Sequence, residues 1–256
     1  ILTEEWAARV GLPYGIPVGI GNVDSHSGSV GGGITYGTVV MSFGTSAAYM
    51  TVMPKAALHG RYIDGVFGQV DDSVLPGLVG FECGLSAFGD VFAWFKRLLS
   101  WPVEHIVSHT SLLTSEQKIS LVNEVEESIL PELTKAVEKL RVTEGFPLAT
   151  DWFNGRRSPA PNNNLTASVT GLSLSVSASE IYYSLAEATA LATKNVIDHL
   201  RKNGIYIRRL VAVGGIARKS PFVVQLIADA LGLPLEVSGC KEAAATGSVI
   251  HAAVVA

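Results

Sequence analysis

The first third of the chain alternates short apolar segments with glycine-rich turns, a pattern that predicts β-strands. Residues 38–43 and 47–53 are largely apolar, and Gly44-Thr45-Ser46 lies between them. This arrangement predicts a β-hairpin with a glycine-bearing turn. Further strands are predicted over residues 16–21, near 67–70 and near 74–81, and a helix over residues 4–10 with Thr3 as its N-cap.

Helical spacing of apolar residues dominates the middle of the chain. It predicts one helix between residues 87 and 99 and a second, with a charged face, over residues 115–143. Pro131 predicts a kink or a division of the second helix, because its ring clashes with the preceding turn.

From residue 179 onward, predicted helices and buried strands alternate, which indicates an α/β arrangement. A helix from Ser179 ends at Gly204, and Pro221 begins another helix at its first position. Residues 150–180 mark either a domain boundary or the join between two lobes of one fold. The remaining predicted elements are strands over 209–213 and 235–237 and a helix over 243–256.

The composition indicates a folded globular chain and argues against two kinds of partner. Of 256 residues, 48% are hydrophobic and 16% are charged, which excludes intrinsic disorder. The formal net charge of −4 leaves no basic excess, so no nucleic-acid partner is expected. The uncharged residues 27–54 are interrupted throughout by Gly, Ser and Thr, so no membrane span is expected either.

The two cysteines, Cys83 and Cys240, are too few for a disulfide scaffold and fit a reducing compartment. Since no secretory signal pattern is visible, a cytoplasmic location is expected. The chain starts at Ile1 and runs directly into a predicted helix. An internal fragment of a longer protein therefore fits this start as well as a native terminus does.

Two glycine-bearing turns have the chemistry to approach a phosphate. Gly44-Thr45-Ser46 combines close backbone access with two hydroxyls and N–H donors. Gly214-Gly215 lies between a buried strand and a helix N-terminus, which favours an anion. Each alone is usually an ordinary turn, but two on one core favour a nucleotide site. A P-loop motif is absent, and Asp24 replaces the third glycine of a dinucleotide fingerprint.

Carboxylates at the ends of predicted strands are the candidate chemical groups. Asp24 lies among small residues, where it can accept a hydroxyl proton or help to hold a metal ion; the alternative is a helix N-cap. Glu82 invites the same interpretation, with an ion pair to Lys or Arg as the alternative. His105 and His109 have helical spacing but no third ligand, so no metal site is predicted. Arg156-Arg157 could hold an anion or be solvated.

In combination, these motifs resemble those of the FGGY carbohydrate kinases. Residues 19–28 resemble the family segment that carries the catalytic Asp, and 40–46 are similar to its second phosphate-binding loop. Residues 214–220 resemble the adenosine-side loop, and 242–248 the terminal Ala/Gly helix. Segments 68–77 and 86–95, together with Glu82 and residues 151–159, resemble in particular the branch that phosphorylates L-ribulose.

The resemblance implies an α/β chain with the actin-like ATPase (ribonuclease H-like) fold. It assigns residues 1–256 to the C-terminal, nucleotide-binding lobe and leaves the N-terminal sugar-binding lobe outside this chain. The implied reaction is ATP- and Mg²⁺-dependent phosphorylation of the terminal hydroxyl of a ketopentose. The expected ketopentose is L-ribulose, in L-arabinose catabolism. One alternative is another kinase of the family, a xylulokinase or gluconokinase, and the other is a non-catalytic nucleotide-binding module if the fragment exists alone. A homodimer of the full-length protein is left open.

The resemblance also assigns roles to single residues. Asp24 would act as general base on the sugar hydroxyl, and Glu82 would contact the sugar. Leu85 stands where a polar residue is expected, which bears on sugar specificity rather than on the nucleotide site. The residues expected to bind the nucleotide are Gly44, Thr45, Ser46, Gly89, Gly214, Gly215 and Lys219.

Overall fold

The computed structural model describes residues 1–142 and 145–255, and its centre is one mixed six-stranded sheet. The strands are β1 (Thr38–Phe43), β2 (Ala47–Pro54), β3 (Gly68–Asp71), β4 (Leu78–Leu85), β5 (Leu148–Ala149), β6 (Val169–Thr170), β7 (Arg209–Val213) and β8 (Leu235–Val237). The sheet order is β3-β4-β2-β1-β7-β8, and β5 pairs with β6 separately. β1, β7 and β8 run parallel, whereas β1–β2, β2–β4 and β3–β4 are antiparallel.

Helices cover both faces of this sheet. They are α1 (Glu4–Val10), α2 (Asp24–Gly31), α3 (Lys55–Leu58), α4 (Gly89–His105), α5 (Ser115–Val137), α6 (Ala178–Lys202), α7 (Gly215–Lys219), α8 (Pro221–Leu231) and α9 (Ala243–Val255), with a 3₁₀ turn at Val107–His109. Within residues 1–142 and 145–255, no helix combines the length and the apolar character that crossing a membrane requires.

The two faces of the sheet carry two separate cores because side chains alternate along a strand. In β1, Val39, Met41 and Phe43 join a large core under α4, α6 and α8. Val40 points to the other face, where Ala243 of α9 contributes to a smaller core. On that second face, α2 packs directly on α9. The sheet therefore separates α2 and α9 from the large helical layer.

The strand and helix predictions near the phosphate-type turns are confirmed. β1 and β2 form the expected hairpin, with Phe43 opposite Ala47. Thr3 accepts a hydrogen bond from the Trp6 N–H and caps α1 as expected. In the C-terminal part, β7 and β8 have the predicted bounds. Ala256, the predicted end of the last helix, lies outside the described residues.

Two predictions about strands are wrong. Residues 16–21 form no strand, and Ile20 is fully exposed there, so the apolar pattern did not reflect burial. The strand predicted near 74–81 covers Leu78–Leu85 instead, because a turn precedes it. For residues 150–180, the second of the two alternatives holds: the segment joins two parts of one fold, since β1 and β7 from either side of it pair in one sheet.

Pro131 does not divide α5, which runs through it from Ser115 to Val137. An interior proline costs a helix about 3 kcal/mol. Leu133 and Val137, buried after the proline, pack into the large core and offset that cost. The helix ends before the predicted limit at residue 143, which itself lies outside the described residues.

Candidate active site

The turn between β1 and β2 is held by the start of α4. Phe43 stacks on Phe88 with ring centroids 4.6 Å apart. The Gly89 N–H donates to the Gly44 carbonyl at 3.0 Å, and the Phe88 N–H donates to the Thr45 carbonyl at 2.8 Å. These contacts fix the turn through its carbonyl groups, while Thr45 itself stays exposed.

The Gly214 turn approaches the same place from β7. Gly214 has φ 98° and ψ 173°, a region that only glycine readily adopts. A Cβ on Gly214 would lie 2.6 Å from the Phe43 carbonyl oxygen. A Cβ on Gly89 would likewise lie 2.6 Å from the Gly44 carbonyl oxygen and 2.5 Å from Ile216 Cδ1. Three chain segments therefore meet with no room for a side chain at the junction.

A cavity of about 390 Å³, the polar cavity, opens at this junction. The β1–β2 turn, the Gly214 turn and the N-terminal ends of α2 and α9 surround it. Two acidic and two basic side chains contribute to its wall. Its lining residues are Asp24, Ser25, Gly28, Ser42, Gly44, Thr45, Ser46, Ala48, Val213, Gly214, Gly215, Arg218, Lys241, Glu242, Ala243 and Ala244.

A second cavity of about 650 Å³, the apolar cavity, lies where α4, α5 and α7 meet. Gly89, whose N–H donates to the Gly44 carbonyl, lines this cavity together with Ile216. Burial raises the pKa of Tyr182, whose hydroxyl lies 3.3 Å from that of Thr134. The full lining is Gly89, Phe92, Ala93, Lys96, Glu126, Glu127, Leu130, Pro131, Thr134, Tyr182, Ile216, Lys219 and Ser220.

Asp24 is the first residue of α2 and an exposed part of the polar cavity. Val23 occupies the N-cap position, so the N-cap interpretation of Asp24 is wrong. Its Oδ1 accepts the Ser25 N–H at 2.7 Å. The N-terminal end of a helix favours a negative charge. The carboxylate is thus stabilised beside the phosphate-type turns and remains open to a substrate.

Glu82 lies on β4 and faces α2 through His26 rather than a Lys or Arg. Its Oε2 is 3.6 Å from His26 Nε2, and both side chains are largely buried. The His26 Nδ1 lies 3.0 Å from the Ser73 carbonyl oxygen. Because a carbonyl only accepts, Nδ1 carries the proton and Nε2 faces the carboxylate. The alternative interpretation of Glu82 expected an ion pair with Lys or Arg, whereas the residue that faces Glu82 is His26.

Residues 39–256 match the family described as the FGGY family of carbohydrate kinases, C-terminal domain. The chain belongs to this family. Two ribulokinases, from Vibrio parahaemolyticus and Bacillus licheniformis, are 37% and 36% identical to it. Both alignments cover 100% of this chain but only 44% and 43% of the relatives. The chain therefore spans less than half the length of the curated FGGY relatives it matches.

Solved structures confirm the expected fold. A xylulose kinase from Rhodospirillum rubrum superposes with a TM-score of 0.74 at 22% identity. The superposition covers 100% of this chain and 46% of that one. The layered α/β sheet described above is thus the actin-like ATPase fold of FGGY kinases, as the sequence predicted.

The structure brings together most of the residues that the FGGY resemblance singled out. Asp24 and the expected glycine and hydroxyl residues share the polar cavity, whereas Gly89 and Lys219 line the adjoining apolar cavity. Glu82 lies on the α2 side of the sheet without lining either one. Residues in the polar cavity are Asp24, Gly44, Thr45, Ser46, Gly214 and Gly215.

Leu85 lies in the large core rather than in either cavity. Its side chain is 2% exposed and belongs to the large core, on the opposite face of β4 from Glu82. A polar residue there would need a buried hydrogen-bond partner. The packing of Leu85 is thus established, and its expected effect on sugar specificity stays a prediction.

Sequence reasoning missed Arg218, Lys241 and Glu242 as cavity residues. Arg218 lies in α7 directly before the expected Lys219, and Lys241-Glu242 directly precede α9. Each of these residues follows a glycine-bearing turn in the sequence, and this position could have indicated that it lies near the cavity. The two basic side chains supply the positive charge that a polyphosphate needs.

His105 and His109 contact backbone carbonyl groups through their rings. Their Nδ1 atoms lie 3.0 Å from the Trp101 carbonyl oxygen and 2.6 Å from the His105 carbonyl oxygen. Across the described residues, no group of three or more His, Cys, Asp or Glu side chains could hold a metal ion.

Proposed function

We propose that this chain is the nucleotide-binding lobe of an ATP-dependent sugar kinase. The observation that carries the proposal is the polar cavity, in which Asp24, the Gly44 turn and the Gly214 turn surround one space. A phosphoryl-transfer site needs a base for the acceptor hydroxyl beside groups that hold the phosphates. A second lobe, which holds the rest of the sugar, would complete the cleft.

The two cavities suit the two ends of a nucleotide. The polar cavity presents the Thr45 and Ser46 hydroxyls together with Arg218 and Lys241, which suit a polyphosphate. The apolar cavity, with Phe92, Leu130 and Ile216, suits a base and ribose. Gly89 lies where the two meet and would clash with the chain if it carried a side chain. ATP would therefore bind across this junction.

Asp24 would take the proton from the sugar's terminal hydroxyl as that oxygen attacks the γ-phosphate in line. A neutral hydroxyl is a poor nucleophile, so removal of its proton lowers the barrier as the new bond forms. The exposed position of Asp24 at the cavity wall leaves room for the acceptor. Positioning of the two substrates would contribute much of the remaining rate.

Mg²⁺ fits the same cavity as a companion of the nucleotide. This ion is usually held by one or two carboxylates together with substrate phosphates. Glu242 lines the polar cavity and would supply a carboxylate oxygen, which leaves Asp24 free to act as the base. When bound, Mg²⁺ screens the charge of the phosphate oxygens.

L-Ribulose is the proposed acceptor because the curated relatives at 37% and 36% identity are named ribulokinases. The product would be L-ribulose 5-phosphate. The free thiols of Cys83 and Cys240 suit the cytoplasmic location proposed for such an enzyme.

The function is tested by measuring ADP release from the full-length protein with Mg·ATP. L-Ribulose, D-xylulose, gluconate and glycerol are offered separately, and we expect a strong preference for L-ribulose. Activity on another of these acceptors would support the kinase mechanism and contradict only the choice of L-ribulose as the acceptor. Absence of activity on all four, with nucleotide binding retained, would contradict the kinase proposal and leave a nucleotide-binding module.

Replacing Glu82 by glutamine should raise the KM for the sugar by about 10–100-fold, since a hydrogen bond to a charged group contributes about 1.5–3 kcal/mol. The dissociation constant for ATP should stay the same, because Glu82 lines neither cavity. Steady-state kinetics with varied sugar and varied ATP separate the two effects. Glu236→Gln is the matched control, as Glu236 is a strand carboxylate paired with Arg209 away from both cavities. An unchanged sugar KM in Glu82→Gln would remove Glu82 from the sugar site.

A further inference from the structure

A third cavity, the side cavity, lies on the opposite face of the sheet from Asp24. It has a volume of about 220 Å³ and is enclosed by α6 and the loop over residues 149–158. On that face of the sheet, the Tyr49 hydroxyl lies 2.7 Å from the Thr193 hydroxyl of α6. This contact shows that α6 packs on the face opposite to Asp24. Its lining residues are Ala149, Thr150, Asp151, Trp152, Arg156, Ser158, Ala188, Leu191, Ala192 and Asn195.

Asp151 is the unusual group in this cavity. Burial raises the pKa of its carboxyl to about 6, and the nearby charge of Arg156 lowers the pKa only in part. Within the described ranges, the Asp151 carboxylate makes no salt bridge to any Lys or Arg. A carboxylate that loses hydration on folding without forming a salt bridge lowers stability at neutral pH. Such a residue in a cavity is a candidate for binding rather than for folding.

Other polar side chains also line the side cavity. The Arg156 Nε donates to the Ala160 carbonyl at 2.8 Å, and its guanidinium lies 5.7 Å from the centre of the Trp152 ring. The Ser158 side chain is buried, and its hydroxyl lies beside the Cys83 thiol. Asn195 is exposed on α6 at the mouth of the cavity.

We propose that the side cavity binds a small, neutral, polyhydroxylated molecule, a monosaccharide or polyol. The formal charges of Asp151 and Arg156 cancel, which favours a neutral ligand over an anion or a cation. Each hydroxyl group of such a ligand both donates and accepts, so it satisfies the carboxylate and the guanidinium alike. The Trp152 ring supplies an apolar surface for the C–H groups.

The size of the cavity also selects the ligand. Sites for drug-sized ligands occupy about 300–1,000 Å³, so a nucleotide exceeds the 220 Å³ available here. This proposal does not rest on kinase activity, because the side cavity and the polar cavity share no residue.

Binding is tested by isothermal titration calorimetry of the full-length protein with L-arabinose, D-xylose, ribitol and glycerol. We expect at least one probe to bind, Asp151→Asn and Asn195→Ala to weaken that binding at least tenfold, and Glu82→Gln to leave it unchanged. The affinity should fall as the pH drops through about 6, where Asp151 gains its proton. The proposal is overturned if none of the four probes binds, or if an amino acid such as glycine binds in their place.

Stability gives a second readout that separates a binding role from a structural one. The pKa of Asp151 is raised on folding, from 3.8 to about 6, so its ionisation disfavours the folded state above that range. Asp151→Asn should therefore raise the melting temperature at pH 7.5, and the gain should disappear toward pH 4. Asp198→Asn, which removes an ion pair with Lys194 on the same helix, should bring no such gain. A lower melting temperature of Asp151→Asn at pH 7.5 would make Asp151 a structural residue and overturn the proposal.

Discussion

Replacing Asp24 by asparagine should lower the kcat of the full-length protein by about 10²–10⁴-fold, the range that general base catalysis contributes. The carboxamide has nearly the same size but cannot take the proton of the attacking hydroxyl. ATP binding should be almost unaffected, because many other groups of the polar cavity remain available to the phosphates. Steady-state ADP release and a calorimetric titration with Mg·ATP measure the two quantities.

Asp64→Asn is the matched control for this variant. Asp64 is also exposed, and its Oδ1 accepts the N–H of the next residue at 2.9 Å, as Asp24 does at 2.7 Å. Asp64 lines neither the polar nor the apolar cavity, so its replacement should leave kcat unchanged. Turnover of Asp24→Asn at the wild-type level would refute the assignment of the base.

Replacing Gly214 by alanine should have the second large effect, on both stability and nucleotide binding. The backbone region that Gly214 occupies costs other residues about 1–3 kcal/mol. The new Cβ would also lie 2.6 Å from the Phe43 carbonyl oxygen, so β1 or the turn after it must shift. We expect a lower melting temperature and an ATP dissociation constant raised at least tenfold, measured by thermal denaturation and calorimetry.

Gly215→Ala is the steric control, since a Cβ on Gly215 would meet nothing within 4 Å. Alanine is also a better helix former than glycine by about 1 kcal/mol, and Gly215 begins α7. Its melting temperature should therefore equal or exceed that of the wild type. If Gly214→Ala is as stable as Gly215→Ala and binds ATP normally, the Gly214 turn is not part of a tight nucleotide junction.

The local elements around the site could be predicted because their signals are short in range. The β1–β2 hairpin follows from two apolar segments on either side of Gly44-Thr45-Ser46. The bounds of β7 follow from five residues before Gly214, and α8 begins at the predicted Pro221. Turn glycines, a first-position proline and residue periodicity act within a few residues of themselves. The sequence alone therefore determined which segments could carry a phosphate-type site.

Errors arose where the outcome depends on distant neighbours. The pattern of residues 16–21 predicted a buried strand, but these described residues form no strand and Ile20 is fully exposed. Pro131 predicted a kink or a division of α5, but the helix continues past it because the residues after the proline pack into the large core. β4 places Leu85 in the core, which its departure from the family pattern did not indicate. Burial and pairing are properties of the whole chain, so periodicity cannot supply them.

The sequence by itself thus identified the candidate chemical groups, which include Asp24, the Gly44 turn and the Gly214 turn. Only the tertiary structure decided that they share one cavity, because parallel pairing of β1 with β7 brings two turns, 170 positions apart in the sequence, to the same end of the sheet. It also decided that Glu82 faces His26 and that Asp151 is partly buried beside Arg156. Such contacts join residues far apart in the chain, and no local pattern records which distant side chain will be the neighbour.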